Sequence, residues 1–529
     1  MTQDDIRKLL WEAADNLRIH LDAATYKHPV LGLIFLKYVS DRFELRRSNL
    51  DRWARDPESE YFVGEDQAEY IVEDRDAYDE ANVFWVPQEA RWQHIRDSAK
   101  SPRIAKLLDE AMRAIEREND SLKGVLYKDF AKLEVEPHVF GKLIDIFSGL
   151  SFDADEHHAQ DVFGEVYEYF LGQFALKEGQ KAGQFYTPRS VVRLMVEILA
   201  PWKGRIYDPC MGSGGMFVYS EKFVGAHEGQ IDNLSVYGQE SNPATWRLAC
   251  MNLAIRGIDY SFGKAADTFR NDQHPHLKVD YILTNPPFNV KAWGADVLAD
   301  DPRWQYGLPP ANNANYAWLQ HMLSKLNANG RMGTVLANGS MTSTTSGEDD
   351  IRKVLVDNDL VECMVALPGQ LFTNTQIPAC LWFLARNKAP HSGQDGDFTG
   401  DVTGKVLFID CRKLGGKQLS RTQIAFTEEE LEKIAHTYHN WRGSPWADGD
   451  YKDEEGFCKS ATLEEIAEHG YALTPGRYVG ASLNEDPDAE PFKEAFPRLM
   501  QEVEQLFERA SQMQGEISRK LRHLERHRE

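Results

Sequence analysis

Cysteine is scarce in this sequence, and its spacing is not that of the common metal and redox sites. The 529 residues include six cysteines, and none of them form the closely spaced pairs that bind zinc or exchange disulfides. Most of the six lie in apolar stretches, so we expect buried free thiols in a reducing compartment. No metal site is predicted. The cysteines are Cys210, Cys250, Cys363, Cys380, Cys411 and Cys458.

Long apolar runs and a secretion signal are also lacking. No stretch approaches the ~20 apolar residues that a membrane-spanning helix needs, and the longest apolar runs have the length of strands. The chain starts with an acidic run from Met1 to Asp5, which contains no apolar signal segment. Together these absences predict a cytoplasmic protein that has no membrane partner.

Basic residues are outnumbered, and this limits how the chain could bind nucleic acid. There are 60 lysines and arginines against 83 aspartates and glutamates, which gives a formal net charge of −23. Proteins that bind DNA alone usually have a basic surface, because contacts with phosphates supply much of the affinity. If the chain acts on DNA, we therefore expect a partner to supply much of the DNA contact.

The pattern of apolar residues divides the chain into three parts. Residues 1–160 have the spacing of helices, whereas residues 161–480 alternate strand-like and helix-like runs, which is typical of an α/β fold with a parallel sheet. Residues 481–529 have apolar side chains on a seven-residue step, and we expect a helical tail that contacts its own domain or another subunit. The helical pattern is clearest over 6–17, 30–43, 104–122, 139–147 and 164–171. Strands are predicted over 205–207, 235–239, 281–284, 331–336, 360–367, 380–385 and 406–410.

Two segments have weaker periodicity. Residues 51–83 are rich in acidic and aromatic side chains, and a solvated loop region is the simplest interpretation. Residues 289–315 contain a Pro-Pro pair and several aromatics, and we expect a long loop. Loops of this length inside a compact domain tend to be functional or mobile.

The strand predicted at 281–284 ends in the motif Asn285-Pro286-Pro287-Phe288. Two consecutive prolines can continue neither a strand ladder nor a helix, so they form a stiff turn beyond the strand. The Asn285 oxygen and the Pro286 carbonyl can then each accept an N–H from a planar exocyclic amine, and Phe288 offers a face for a base. A proline-stiffened surface turn without function is the alternative for the motif taken alone.

An earlier strand ends in Asp208-Pro209-Cys210-Met211. It is followed by a glycine-rich turn, Gly212-Ser213-Gly214-Gly215. Glycines let the backbone approach a ligand, and the helix that begins after them has free N–H groups. A phosphate-binding loop fits poorly, because no lysine follows the glycines and Asp208 would repel phosphate. A ligand with both an amino and a carboxylate end, such as S-adenosylmethionine, fits better.

Two further acids lie at predicted strand ends. Glu240 follows the strand at 235–239, where doubly wound folds bind a ribose diol. Asp267 closes the segment 263–267, and an acid there is suited to bind an adenine amino group. Each acid alone could be an ordinary capping residue, whereas their order before Asn285 favours a nucleoside site.

The chain resembles the modification subunits of type I restriction–modification systems, a family of adenine-N6 DNA methyltransferases. Segments at 33–41, 371–378 and 473–479 also resemble that family, so the likeness covers most of the chain. The residues that carry it in the site are Gln184, Phe185, Tyr186, Thr187, Pro188, Arg189, Asp208, Pro209, Gly212, Ser213, Gly214, Gly215, Glu240, Asp267, Asn285, Pro286, Pro287 and Phe288.

This resemblance implies a fold: a Rossmann-like S-adenosylmethionine-dependent methyltransferase sheet, with an N-terminal all-helical domain and a C-terminal helical tail. It also implies site roles. Tyr186, Thr187 and Pro188 pack around the methionine end of the cofactor S-adenosylmethionine, and Asp208 with the turn 212–215 holds its amino acid part. The neighbouring Gln184, Phe185, Arg189 and Pro209 belong to the same cofactor-binding motifs. Glu240 binds the ribose, and Asp267 binds the adenine of the cofactor.

In the same family, Asn285 to Phe288 orient and stack the target base, and Asn at the first position of the motif favours adenine over cytosine. The partners implied are DNA and a separate DNA specificity subunit, with a second copy of the chain and a restriction or translocase subunit as further candidates. Three alternatives stay open: a stand-alone or other phage-defence DNA methyltransferase, a methyltransferase of RNA or protein glutamine, and a non-catalytic scaffold.

Overall fold

The structure is a computed structural model, which describes residues 11, 23–150, 164, 167, 169–170, 187–227, 229, 233–372, 378–392, 398–420 and 423–480. Contacts between residues divide the chain into two compact units, Met1–Val479 and Gly480–Glu529. Every element given below belongs to the first unit. Four predicted segments lie wholly or mostly outside the described residues: the helix at 6–17, the segment 164–171, the motif residues 184–186 and the tail at 481–529. The predicted domain boundary near residue 160 also lies there and stays a prediction.

The described part of the N-terminal region is helical, as predicted. Its first helix is 33 residues long and its side chains from Val30 to Val39 are almost all buried, because apolar residues occupy every face of this stretch. The predicted helices at 104–122 and 139–147 are confirmed. The helices are α1 (Ala23–Arg55), α2 (Ala68–Val72), α3 (Asp76–Asp79), α4 (Trp92–Asp97), α5 (Ile104–Glu118) and α6 (Pro137–Ser148).

The segment 51–83 is more ordered than the loop that its composition predicted. Helix α1 continues to Arg55, and the short helices α2 and α3 follow. Tyr78 is completely buried, and its ring stacks on Phe43 with 5.0 Å between centroids. Arg46 Nε donates to the Ala77 carbonyl at 3.0 Å, which ties the segment to α1. The prediction was wrong here because a few aromatic anchors reach the core between acidic residues that face solvent.

The second part of the unit is built on a nine-stranded sheet with the order β13-β10-β6-β7-β5-β4-β1-β2-β3. All seven predicted strands are confirmed within a few residues. The strands are β1 (Gly204–Asp208), β2 (Leu234–Gly238), β3 (Tyr260–Ser261), β4 (Val279–Thr284), β5 (Leu326–Ala337), β6 (Val361–Ala366), β7 (Ala379–Ala385), β10 (Lys405–Asp410) and β13 (Cys458–Thr462). Two small pairs complete the strands: β8 (His391–Ser392) with β9 (Phe398–Thr399), and β11 (Lys417–Gln418) with β12 (Ile424–Ala425).

Helices connect the strands. Those described are α7 (Arg189–Leu199), α8 (Gly215–Ala226), α9 (Pro243–Ala254), α10 (Asn315–Lys325), α11 (Glu348–Asp357), α12 (Glu428–Arg442) and α13 (Leu463–Glu468). In the described residues, none of the helices have the length and apolarity that crossing a membrane requires.

The sheet is mixed, whereas the alternation of strands and helices predicted a parallel sheet. Strands β1 to β5 run parallel, but β7 pairs antiparallel with both β5 and β6. The chain reverses between the end of β6 at Ala366 and the start of β7 at Ala379, and β7 enters between β5 and β6. Strand β13 is also antiparallel, to β10.

The order of strands creates a crevice at the carboxyl end of β1. After β1 the chain adds β2 and β3 on one side, then crosses over to place β4 on the other side of β1. The connections leaving β1 and β4 therefore diverge above the sheet. In open α/β sheets, ligands bind at such a switch point.

A buried ion pair joins the far half of the sheet to α12. Glu362 on β6 and Arg442 on α12 are both fully buried, with Arg442 Nε 2.9 Å from Glu362 Oε1, though misaligned for a hydrogen bond. The Tyr438 hydroxyl donates to Glu362 Oε2 at 2.8 Å, and Arg331 NH1 donates to the same hydroxyl at 3.2 Å. The Glu362 carboxylate thus pairs with the buried Arg442 guanidinium and is linked through Tyr438 to the half-buried Arg331.

Replacement of Glu362 tests this arrangement. Glu362→Ala leaves the Arg442 charge buried without its partner, so the free energy of unfolding should fall by about 3–5 kcal/mol. Glu110→Ala is the control, because its pair with Lys106 is 3.6 Å long and exposed, and its loss should cost no more than about 0.5 kcal/mol. Urea unfolding of the two variants makes the comparison. Equal effects would show that the buried pair does not stabilise the fold.

Candidate active site

Asp208, the last residue of β1, is joined to the end of β4. Its Oδ1 accepts a hydrogen bond from the Thr284 hydroxyl at 2.5 Å and another from the Cys210 N–H at 2.9 Å. Thr284 is fully buried and Asp208 is 2% exposed. The two strand ends that carry the predicted motifs are therefore fixed to each other.

Burial raises the pKa of Asp208 to about 7, and the nearby Glu240 carboxylate contributes to the rise. The hydrogen bonds from Thr284 and Cys210 oppose it, because they favour the charged form. Near neutral pH the carboxyl group is therefore divided between its two forms. A cationic ligand group beside it would favour the carboxylate.

The glycine-rich turn that follows Asp208 depends on two glycines with left-handed backbone. Gly212 has φ of 55° and Gly214 has φ of 80°. A Cβ on Gly214 would also lie 2.8 Å from Leu253 Cδ1 on α9. The Gly214 N–H donates to the Met211 carbonyl at 2.8 Å, which closes the turn before α8 begins at Gly215.

Asn252 on α9 contacts this turn and was missed by the sequence analysis. Its Nδ2 donates to the Ser213 carbonyl at 2.8 Å, and its side chain is 1% exposed. Asn252 lies 37 to 40 positions after the turn in the sequence and inside a helix, so no local pattern marks it. The helical spacing that identified α9 gives no information about this contact.

Glu240 lies two residues beyond the end of β2 and against the glycine turn. Its Oε2 accepts from the Gly212 N–H at 3.2 Å, and its Oε1 accepts from the Asn242 N–H at 2.8 Å. Burial raises the pKa of this carboxyl, while these N–H groups act in the opposite direction. The predicted ribose contact would use the same carboxylate.

Asp267 does not end a strand, contrary to the sequence analysis. Strand β3 ends at Ser261, and Gly263 then turns the chain with φ of 62°. The Asp267 carboxylate is exposed and accepts from the N–H groups of Phe269 at 3.0 Å and Arg270 at 2.9 Å. Its predicted contact with the cofactor adenine stays a prediction.

Asn285 begins the turn after β4, and its two amide atoms have different surroundings. Nδ2 donates to the Thr187 hydroxyl at 2.8 Å. Oδ1 is buried and accepts no hydrogen bond from the part of the chain that the structure describes. A buried acceptor without a donor costs roughly 1–3 kcal/mol, so this oxygen is suited to receive an N–H from a ligand.

Phe288 ends the motif and is partly buried. Its ring meets that of Phe372 at a centroid distance of 6.5 Å and an angle of 69°. The next residue, Asn289, exchanges hydrogen bonds with the buried Asn315 at the start of α10, at 3.1 and 2.9 Å. This pair fixes the exit of the turn.

The loop 289–314 is folded against its surroundings. The Trp293 indole N–H donates to the Pro310 carbonyl at 3.0 Å. Arg303 donates to the carbonyls of Thr268 at 3.3 Å and Phe269 at 2.7 Å, so the loop is bound to the segment that contains Asp267. The prediction of a long loop is confirmed, and it is anchored by polar contacts.

One cleft brings together residues from three of the motifs: the segment that contains Thr187, Asp208 with its glycine turn, and Asn285. The cleft opens to solvent, and the space inside it and at its mouth is about 660 Å³. Glu240, Asp267 and Phe288 are not part of its described lining. The lining residues are Thr187, Arg189, Val192, Asp208, Cys210, Met211, Gly212, Ser213, Gly215, Met216, Tyr219, Asn252 and Asn285.

The remaining motif residues support this cleft from outside. Pro188 precedes the first residue of α7 and sets the direction of that helix. The Pro209 carbonyl accepts from the Thr268 hydroxyl at 2.7 Å. Pro286 is buried and Pro287 is half-buried. In the described residues no cluster of histidine, cysteine or acidic side chains has the arrangement of a metal site.

The lining fits a cofactor that has amino, carboxylate and apolar parts. Asp208 supplies the charge for an ammonium group, and the first turn of α8 supplies N–H groups that favour a carboxylate. Met211, Met216 and Val192 add apolar surface. The chemistry of these groups therefore fits S-adenosylmethionine.

Comparison with known proteins agrees with this geometry. Residues 158–487 match the family model described as N-6 DNA Methylase, and residues 6–147 match the model described as HsdM N-terminal domain. The two matches cover both parts of the fold.

Two curated relatives are similar over most of their length. The chain is 48% identical to the type I restriction enzyme HindI methylase subunit of Haemophilus influenzae, over 82% of this chain and 99% of that one. It is 38% identical to the MjaIX methylase subunit of Methanocaldococcus jannaschii, over 96% and 89%.

A solved structure agrees as well. The methyltransferase subunit of a type I restriction–modification system from Streptococcus thermophilus superposes with a TM-score of 0.72 at 27% identity, over 90% of this chain and all of that one. These findings confirm the resemblance seen in the sequence. The chain belongs to the methylase subunits of type I restriction enzymes, a family of adenine-N6 DNA methyltransferases.

Proposed function

We propose that this chain binds S-adenosylmethionine against Asp208 and the glycine turn, and that Asn285 and Pro286 orient the amino group of an adenine flipped out of DNA. The observation that supports this most is that Asn285 lines the same cleft as Asp208 and that its buried Oδ1 has no donor among the residues that the structure describes. The specificity subunit of a type I complex would bring the target base to it.

Asn285 would act on the target through its oxygen. An N–H of the adenine amino group donates to Oδ1 and the second donates to the Pro286 carbonyl, which draws the nitrogen lone pair out of conjugation with the ring. The contact from Nδ2 to Thr187 keeps Oδ1 directed away from that hydroxyl. Phe288 would stack on the base, and such stacking is worth about 1–3 kcal/mol, which helps to offset unstacking.

Asp208 would hold the amino acid part of the cofactor through its ammonium group. Thr284 and Cys210 fix the carboxyl orientation, and Glu240 fixes the turn from the opposite side through the Gly212 N–H. S-adenosylmethionine, when bound, supplies a methyl group on a cationic sulfonium, so its transfer requires no strong base. The chain contributes mainly position and charge.

Sequence recognition would come from a separate specificity subunit. The net charge of −23 disfavours tight DNA binding by this chain alone. We propose that the tail 481–529 contacts that subunit, and that a second copy of the chain and a restriction subunit join the same complex. The expected cytoplasmic location stays a prediction.

Asn285→Ala tests the target contact. We expect methyl transfer to DNA to fall by at least about a hundredfold, because orientation of the amine is lost, while the affinity for S-adenosylmethionine changes little. Methyl incorporation and equilibrium dialysis measure the two properties. Asn358→Ala is the matched control, since that exposed amide only contacts Val354 on its own helix. Unchanged transfer by Asn285→Ala would remove this residue from the mechanism.

The pKa of Asp208 predicts how cofactor affinity depends on pH. An ammonium ligand binds the carboxylate, and the ionised fraction rises about fivefold from about pH 6 to about pH 7 for a pKa of about 7. The dissociation constant should therefore fall about fivefold over this range, where an α-amino group (pKa ~7.7–8.0) stays protonated. Asp208→Asn should bind more weakly and with no such dependence, as measured by calorimetry. A pH-independent wild type would contradict the ammonium contact.

The need for a specificity subunit can be tested with purified protein. The chain alone at physiological salt should methylate no defined DNA site, and addition of its specificity subunit should restore site-specific methylation. Mapping of methylated adenines in a plasmid gives the answer. Site-specific methylation by the isolated chain would overturn recognition by a partner.

A further inference from the structure

Contacts from other elements are needed to fix the conformation of the glycine turn, because its glycines allow several backbone conformations. Gly212 and Gly214 flank Ser213, and glycine adopts either sign of φ at little cost. A rotation of the peptide group between Ser213 and Gly214 changes ψ of Ser213 and φ of Gly214, and no Cβ opposes the change at Gly214. A rotation would redirect the backbone groups that line the cleft.

Two hydrogen bonds hold this peptide group in one orientation. Its N–H, from Gly214, donates to the Met211 carbonyl at 2.8 Å. Its carbonyl, from Ser213, accepts from Asn252 Nδ2 at 2.8 Å. The first bond lies within the turn itself, so Asn252 supplies the contact that comes from another element.

Arg256, one turn after Asn252 in the sequence, fixes the orientation of the Asn252 amide. Its NH1 donates to the Asn252 backbone carbonyl at 2.9 Å and also contacts Asn252 Oδ1. Because the guanidinium engages the oxygen, the amide nitrogen is left to face Ser213. Both side chains are at least nine-tenths buried.

Helix α9 is itself held at both ends. At its start, the Asn242 side chain accepts from the N–H groups of Ala244 and Thr245. Just after its end, the Ile255 carbonyl accepts from the Tyr38 hydroxyl of α1 at 3.4 Å. The N-terminal helical domain therefore packs against the helix that carries Asn252.

We propose that Asn252 is a positioning residue for the cofactor, acting through the Ser213 carbonyl to keep the glycine turn in its binding conformation. This inference rests on the proposed function, since it concerns the same cofactor. Loss of the contact should weaken binding of the cofactor and raise its KM. The kcat at saturating cofactor should stay nearly unchanged, because Asn252 acts on the turn and not on the reacting atoms.

Asn252→Asp separates this role from a purely structural one. The new carboxylate keeps the size of the side chain and can still accept from Arg256, but it cannot donate to the Ser213 carbonyl. The amino acid end of the ligand is a zwitterion, so the new charge attracts its ammonium group and repels its carboxylate, and an uncharged variant is needed beside it. Asn252→Leu removes both contacts at similar volume.

Calorimetry with S-adenosylhomocysteine, which has the same amino acid end, measures the effect in the full-length chain. We expect about tenfold weaker binding for both Asn252 variants. Tyr38→Phe is the control at the end of the same helix: it should lower the melting temperature through the lost hydrogen bond to the Ile255 carbonyl and leave the dissociation constant unchanged.

The outcomes are distinct. Binding by Asn252→Asp equal to or tighter than that of the wild type would overturn the positioning role. Equal weakening by Tyr38→Phe would also overturn it, because any loss of support for the helix would then suffice. No binding of S-adenosylhomocysteine or S-adenosylmethionine by the wild type would instead contradict the proposed function.

Discussion

The hydrogen bond from the Thr284 hydroxyl to Asp208 is the contact on which the site depends. It joins the last residues of two adjacent parallel strands inside the protein, where no water competes for either group. The glycine turn begins at Gly212, four residues after Asp208, and Asn285 directly follows Thr284. The separation of the two functional loops is therefore set by a single buried polar contact at the switch point of the sheet.

Each side of the cleft has its own support beyond that contact. On the side of β2, Glu240 and Asn252 bind the backbone of the glycine turn. On the other side, Asn315 fixes the exit of the Asn-Pro-Pro-Phe turn, and Arg303 joins the following loop to the carbonyls after Asp267. Both walls are built from side chains that bind main-chain groups, which fixes backbone position more firmly than apolar packing alone.

What the sequence could predict was local. Apolar runs identified the strands, and motifs next to them identified the cleft, because a strand end and its turn are consecutive residues. The direction of β7 was not predictable from periodicity, which is the same for parallel and antiparallel strands. Asn252 and Thr284 also gave no signal, since their partners are distant in sequence. Asp267 was misplaced because the turn at Gly263 breaks the strand that its position suggested.

The unpaired Asn285 oxygen has a consequence for base selection. A base that presents an N–H at this point can donate to the oxygen. A base that presents a carbonyl there places one acceptor against another, and the two repel. Thymine and guanine present a carbonyl where adenine and cytosine present an amine, so they would be rejected before any chemistry begins. Under the role proposed for Asn285, this one unsatisfied oxygen would exclude thymine and guanine, because it gains a donor only when an amine enters.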